Sequence, residues 1–82
     1  MTPALRTQNQ LGAELRRLRK KRNLTQDHLS RLINKRQATI SSLESDGNGT
    51  LETLFAILSA LDAEVVLRPR SKPNRPSIGD IF

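Results

Sequence analysis

Eighty-two residues make one small domain at most, and a 35% hydrophobic fraction with two Phe, no Trp and no Tyr leaves little to bury. The absence of Cys excludes disulfides and cysteine-zinc sites, and a single histidine, His28, excludes a His-cluster metal centre, so neither metal nor cofactor is expected. The formal charge is +6, with ten basic and four acidic residues over 1–47 and four of each over 48–82.

A domain this small calls for a stabilising partner subunit. No apolar run reaches the ~18–20 residues of a membrane span, and residues 1–20 hold no uninterrupted apolar stretch of the secretory kind. A soluble, cytoplasmic, nucleoid-associated chain with no membrane partner is therefore expected. The excess charge is concentrated: six of the seven residues Arg16–Arg22 are basic. Such a run also writes a solvated helix face, but on a small domain it favours a polyanion. Without aromatics to stack on bases, duplex DNA is favoured over a single strand.

In chain order, four or five helices and a tail are expected. Thr7 caps a helix running to about Arg22, with Leu11, Leu15 and Leu18 on one stripe and Asn23 as its stop. Thr25 caps a second helix, about Gln26–Ile33, with Leu29, Leu32 and Ile33 facing inward, and Asn34 follows as a turn residue able to take positive φ. A third helix, about Arg36–Ser45, buries Ile40 and Leu43. Asp46-Gly47-Asn48-Gly49 is a loop. Thr50 caps a fourth helix, about Leu51–Leu61, with Leu51, Leu54, Phe55, Leu58 and Leu61 as a wide apolar stripe.

The period then changes. Glu64-Val65-Val66-Leu67-Arg68 is β-branched, short and closed by Pro69. A lone strand is not stable in water, and the economical mate is its own copy in a homodimer. The fold class is thus all-α with one short C-terminal strand that pairs between subunits. Residues 7–68 form the domain and 69–82 a disordered tail. Within that tail, Ile81 and Phe82 are apolar anchors suited to contact with a partner protein.

Leu24-Thr25-Gln26 through Glu44 carries the functional pattern: two short helices, a tight turn, and a second helix rich in small polar side chains. That is the pattern of a helix-turn-helix. Gln37 can bond adenine N6 and N7, Ala38 can touch a thymine methyl, and Thr39, Ser41 and Ser42 lie on the same short helix, the serines able to reach base or phosphate. Gln26 begins a helix, where amide groups attract phosphate, and Lys35 and Arg36 flank the turn as backbone cations. No Gly-rich phosphate loop occurs, and His28 beside Asp27 has neither nucleophile nor cleft, so no catalytic residue is expected and the chain does not read as an enzyme.

With Arg19, Leu24-Thr25-Gln26, Leu29, Gln37, Ile40-Ser41 and Glu44, the run Leu15–Leu54 resembles the phage-repressor-like (Xre/Cro) helix-turn-helix domains. Gln37-Ala38-Thr39-Ile40-Ser41, the Thr50–Leu61 helix, the strand and the short tail look more narrowly like HipB-type antitoxins, homodimeric repressors encoded beside HipA-type kinase toxins. The resemblance implies a sequence-specific repressor bound to an inverted-repeat operator, autoregulating its operon and holding a HipA-type kinase. A stand-alone Xre-type regulator is the alternative. It also implies that Arg19 and Glu44 form a buried ion pair. Three positions depart from the family pattern: Ser30 replaces the usual Ala, Asn34 the usual Gly, and Lys35 the usual apolar residue.

Overall fold

The computed structural model describes residues 4–70. Residues 71–82, with Ile81 and Phe82 among them, lie outside the described residues, and so does most of the expected tail. Four helices are present among the described residues: α1 (Gln8–Lys21), α2 (Gln26–Ile33), α3 (Gln37–Asp46) and α4 (Leu51–Ala60).

Short polar side chains start three of the four. Thr7, Thr25 and Thr50 each stand in extended backbone and accept a hydrogen bond from an amide of the first turn, those of Gln10, His28 and Thr53. Thr7 and Gln10 complete a capping box, since the Gln10 side chain accepts in return from the Thr7 amide. α3 is different: its N-cap is Arg36, which supplies no side-chain cap.

Every helix stops at a residue in the left-handed region: Asn23 (φ 58), Asn34 (φ 56), Gly47 (φ 77) and Asp62 (φ 55). After α1, α2 and α4 the next amide reaches back five residues: Leu24 to the Arg19 carbonyl, Lys35 to Ser30 and Ala63 to Leu58. This is the Schellman closure, and Asn and Asp are the non-glycine residues that tolerate it best. The chain therefore reverses sharply at three places without glycine.

The core is small and aliphatic. Leu15 of α1, Leu29 of α2, Ile40 and Leu43 of α3, and Leu54, Ile57, Leu58 and Leu61 from α4 and its end are buried together. Leu11, Leu18, Leu24 and Ile33 pack around them. α1 lies closest to α3 because Gly12 leaves room: a Cβ there would stand 2.8 Å from the Glu44 carbonyl oxygen and closer still to that of Leu43.

Two expectations need correction. Leu32 is exposed, because α2 buries only the narrow stripe of Leu29, Ser30 and Ile33. Leu51 and Phe55 are exposed as well. The inner stripe of α4 is Leu54, Ile57, Leu58 and Leu61, spaced i, i+3, i+4 and i+7, which leaves Leu51 and Phe55 on a second apolar stripe turned outward. Glu64–Arg68, expected to pair as a strand between subunits, has no regular structure within one chain: residues 63–70 are irregular, and Val66 and Leu67 are 72% and 91% exposed. Among the described residues of a single chain there is no second strand whose amides and carbonyls could pair with those of this segment.

Replacing Gly12 with Ala is expected to push α1 off α3 and destabilise the fold by about 1–3 kcal/mol, as over-packing does. A urea midpoint equal to that of the parent protein would show that the two helices are not held at this distance.

Candidate nucleic-acid interface

The arginine at the end of α1 organises the region. Arg19 Nε donates to Glu44 Oε2 at 2.6 Å and Nη2 to Oε1 at 3.0 Å, a two-pronged ion pair with both side chains almost wholly buried. Arg19 Nη1 donates to the Leu24 carbonyl at 2.6 Å, and Gln26 Nε2 donates to Glu44 Oε1 at 3.1 Å. One guanidinium and one carboxylate thus join α1, the α1–α2 turn, α2 and α3. Among the described residues no buried side-chain nitrogen or oxygen is left without a partner.

The turn between α2 and α3 accommodates its three unusual residues. Ser30 is buried and donates to the Asp27 carbonyl at 2.7 Å, so its hydroxyl is satisfied within its own helix. Asn34 takes the left-handed conformation at φ 56, ψ 46. Lys35 is half-buried, and its ammonium bonds Glu52 Oε1 at 2.9 Å, on the first turn of α4. The same bond and the charge of Lys35 hold the Glu52 carboxyl below the usual carboxylate range. Sequence reasoning placed Lys35 beside phosphate and missed Glu52, which lies on another helix. A cation at a position where apolar residues are usual was the available signal, because half-burial requires a counter-charge.

α3 presents the remaining sequence-chosen residues outward. Arg36, Gln37, Ala38, Ser41 and Ser42 are exposed, and Thr39 is half-buried. Gln37 and Ser41 stand four apart, hence on one face, beside the buried stripe of Ile40, Leu43 and Glu44. The first amides of α3 receive no side-chain cap, and that of Thr39 donates to the Arg36 carbonyl at 3.0 Å. Gln26 is only half-buried, with one face of its amide engaged by Glu44. This surface is flat, polar and short, with helix-borne donors and acceptors 1.5 Å apart in rise per residue, a size and chemistry suited to base edges in a major groove.

Other clusters offer no competing chemistry. No group of three or more metal-ligating side chains occurs among the described residues, and no described helix is long and apolar enough to cross a membrane. His28 is exposed on α2.

Residues 15–66 match the family model described as Helix-turn-helix. Among solved structures, the chain is similar to HipB in a HipB–O4 20mer complex, with 32% identity and a TM-score of 0.77, covering 87% of this chain and 100% of that one. The same values hold for a HipA–HipB–O2–O3 complex. A structure described as MDT Protein follows at 32% identity and a TM-score of 0.76, again over 87% of this chain and 100% of that one. No curated protein matches the chain.

Truncating Glu44 to Ala is expected to leave Arg19 buried without its counter-charge, at a cost of about 3–5 kcal/mol. Calorimetry should therefore show a marked fall in melting temperature, and an unchanged one would mean that the pair is not a structural link.

Proposed function

The chain belongs to the Xre/Cro helix-turn-helix family and is a DNA-binding regulator resembling HipB, and from that premise we propose that it is a sequence-specific repressor acting as the antitoxin of a HipA-like kinase. On this reading it binds an inverted-repeat operator as a homodimer and autoregulates its operon. The observation that carries the reading is the α3 surface, with Gln37, Ala38, Ser41 and Ser42 exposed on a helix whose other face is locked by Arg19 and Glu44.

Gln37 and Ala38 read bases in this proposal, with Ser41 and Arg36 on base or phosphate, and Ser42 and Thr39 at the edge of the contact. Gln26 meets the phosphate backbone through the amide groups at the start of α2. Lys35 contributes a phosphate contact only by leaving Glu52, so its share of the binding energy is smaller than that of a free lysine. The likeness to HipB, which is solved both with 20mers and with HipA, supports the antitoxin reading over that of a stand-alone regulator.

The exposed apolar stripe supports the homodimer. Leu51 and Phe55 on α4 stand uncovered, and Ala63, Glu64 and Val65 run back along the same helix to line a shallow groove with Phe55. A second copy covers this face and supplies the mate that Glu64–Arg68 lacks within one chain, so that the segment becomes a strand on dimerisation. The two recognition helices then lie about 34 Å apart, one turn of duplex. Residues 69–82 remain the proposed tail, with Ile81 and Phe82 as proposed contacts to the kinase.

Anisotropy titration against DNA from the chain's own upstream region and a scrambled duplex tests the reading. Nanomolar binding with a preference for the upstream DNA is expected, and Gln37→Ala should remove about 1–3 kcal/mol of that preference per half-site while sparing binding to scrambled DNA. Equal losses on both duplexes would show that Gln37 does not read bases. Light scattering at micromolar concentration should give a dimer for the parent protein and a monomer for Phe55→Ser/Val66→Ser; a monomeric parent would refute the paired strand.

A further inference from the structure

The six basic residues of Arg16–Arg22 are not equivalent. Three are paired within the chain: Arg19 with Glu44 in the interior, and Arg17 with Glu14 and Arg22 with Asp62 at the surface. Arg16, Lys20 and Lys21 form no ion pair among the described residues and are exposed. Two of these three share a location. Arg16 and Lys20 are four apart on α1 and line one open groove of about 500 Å³ between α1 and the C-terminal half of α3, with Asn9, Ala13, the Glu14-paired Arg17, Glu44 and Ser45 as its other walls. Lys21 lies outside it.

The groove adjoins the face of α3 described above. Gln37, Ser41 and Ser45 are spaced i, i+4 and i+8, so they run along one side of the helix, and Ser45 is where that line enters the groove. Glu44 also lines the groove, but its charge is taken up by Arg19 and its Oε1 is further bonded to Gln26. The carboxylate therefore repels an approaching anion little, and it connects the groove to the start of α2. Two free cations consequently stand where a duplex seated on Gln37 and Ser41 would carry its sugar-phosphate wall.

We propose that Arg16 and Lys20 form a second phosphate-binding surface, which holds one DNA strand beyond the bases read by α3 and lengthens the footprint of each protomer. The inference rests on the DNA-binding reading above and commits this groove to duplex backbone rather than to an acidic protein. Arg16 and Lys20 contact phosphates and read no bases, so they set affinity and salt dependence but not sequence preference. Their isolation from internal ion pairs means that their removal leaves the fold intact.

The test uses the full chain, with anisotropy on upstream and scrambled duplexes across a salt series. Arg16→Gln/Lys20→Gln is expected to flatten the slope of log K against log salt by about 0.9 for each lost contact, so up to about two per protomer. Binding should weaken about tenfold or more near 0.1 M salt on both duplexes, with their ratio and the melting temperature unchanged. Lys21→Gln, as the matched loss of charge outside the groove, should change the slope by less than either groove substitution alone. A double variant that keeps the parent slope and affinity overturns the proposal, as does a loss confined to the upstream duplex or a loss of protein partner with DNA binding intact. A parent protein that binds neither duplex refutes the DNA-binding reading itself, an outcome separate from all of these.

Discussion

The bond between Arg19 and Glu44 is the constraint on which the exposed face of α3 depends. Glu44 stands on the buried side of α3, where an unpaired carboxylate would be costly, and the two-pronged guanidinium from α1 makes its position tolerable. The geometry leaves α3 little freedom to rotate about its own axis, because a turn of the helix would separate the two oxygens from the two nitrogens. The direction in which Gln37, Ala38 and Ser41 point is thereby set by a contact on the adjoining, buried side of the helix. The remaining Arg19 donor, on the Leu24 carbonyl, ties the same charge to the turn that starts α2.

Around this link the fold uses very little material. Eight aliphatic side chains make the buried core, and the helices end through backbone closure at Asn23, Asn34 and Asp62 rather than in long loops. Short connections keep the unfolded chain's entropy loss concentrated in residues that also pack. The counterpart of such economy is an outward apolar stripe on α4 and an uncovered segment after it. A domain of this size is marginal alone, so the same surface that is a liability in one chain is a resource for two.

Charge is handled with similar discrimination. Acidic side chains neutralise the cations that face the protein's interior or its helix ends, and the Lys35–Glu52 bond withdraws a cation from the turn next to the recognition helix. The exposed arginine of that turn, Arg36, and the three cations of α1 unpaired among the described residues, Arg16, Lys20 and Lys21, remain available to an anion. Net charge alone does not describe such a surface; which cations already have partners decides where it is positive.

Much was legible from the residues in order. Thr7, Thr25 and Thr50 mark helix starts because a hydroxyl next to an apolar period satisfies orphan amides, and that is local chemistry. The helix stops at Asn23 and Asn34 are local in the same sense, and so was the polar outer face of α3. Periodicity placed Leu15, Leu29, Ile40, Leu43, Leu54 and Leu58 inside, but it could not rank the two apolar stripes of α4, because Leu51 and Phe55 obey the helical period as well as Ile57 does. Only the docking of α4 on its neighbours decided which stripe was inner.

The sequence by itself therefore determined the helices, their ends and the residue types on the recognition face, since each of these depends on neighbours within four positions. Tertiary structure decided the rest: the closeness of α1 to α3 at Gly12, the reach of Glu52 to Lys35, the groove shared by Arg16, Lys20 and Ser45, and the lack of a strand among the described residues of one chain. Each joins residues 17 or more positions apart or needs a partner absent from a single chain. No local preference encodes such pairings, because they exist only once the helices have packed.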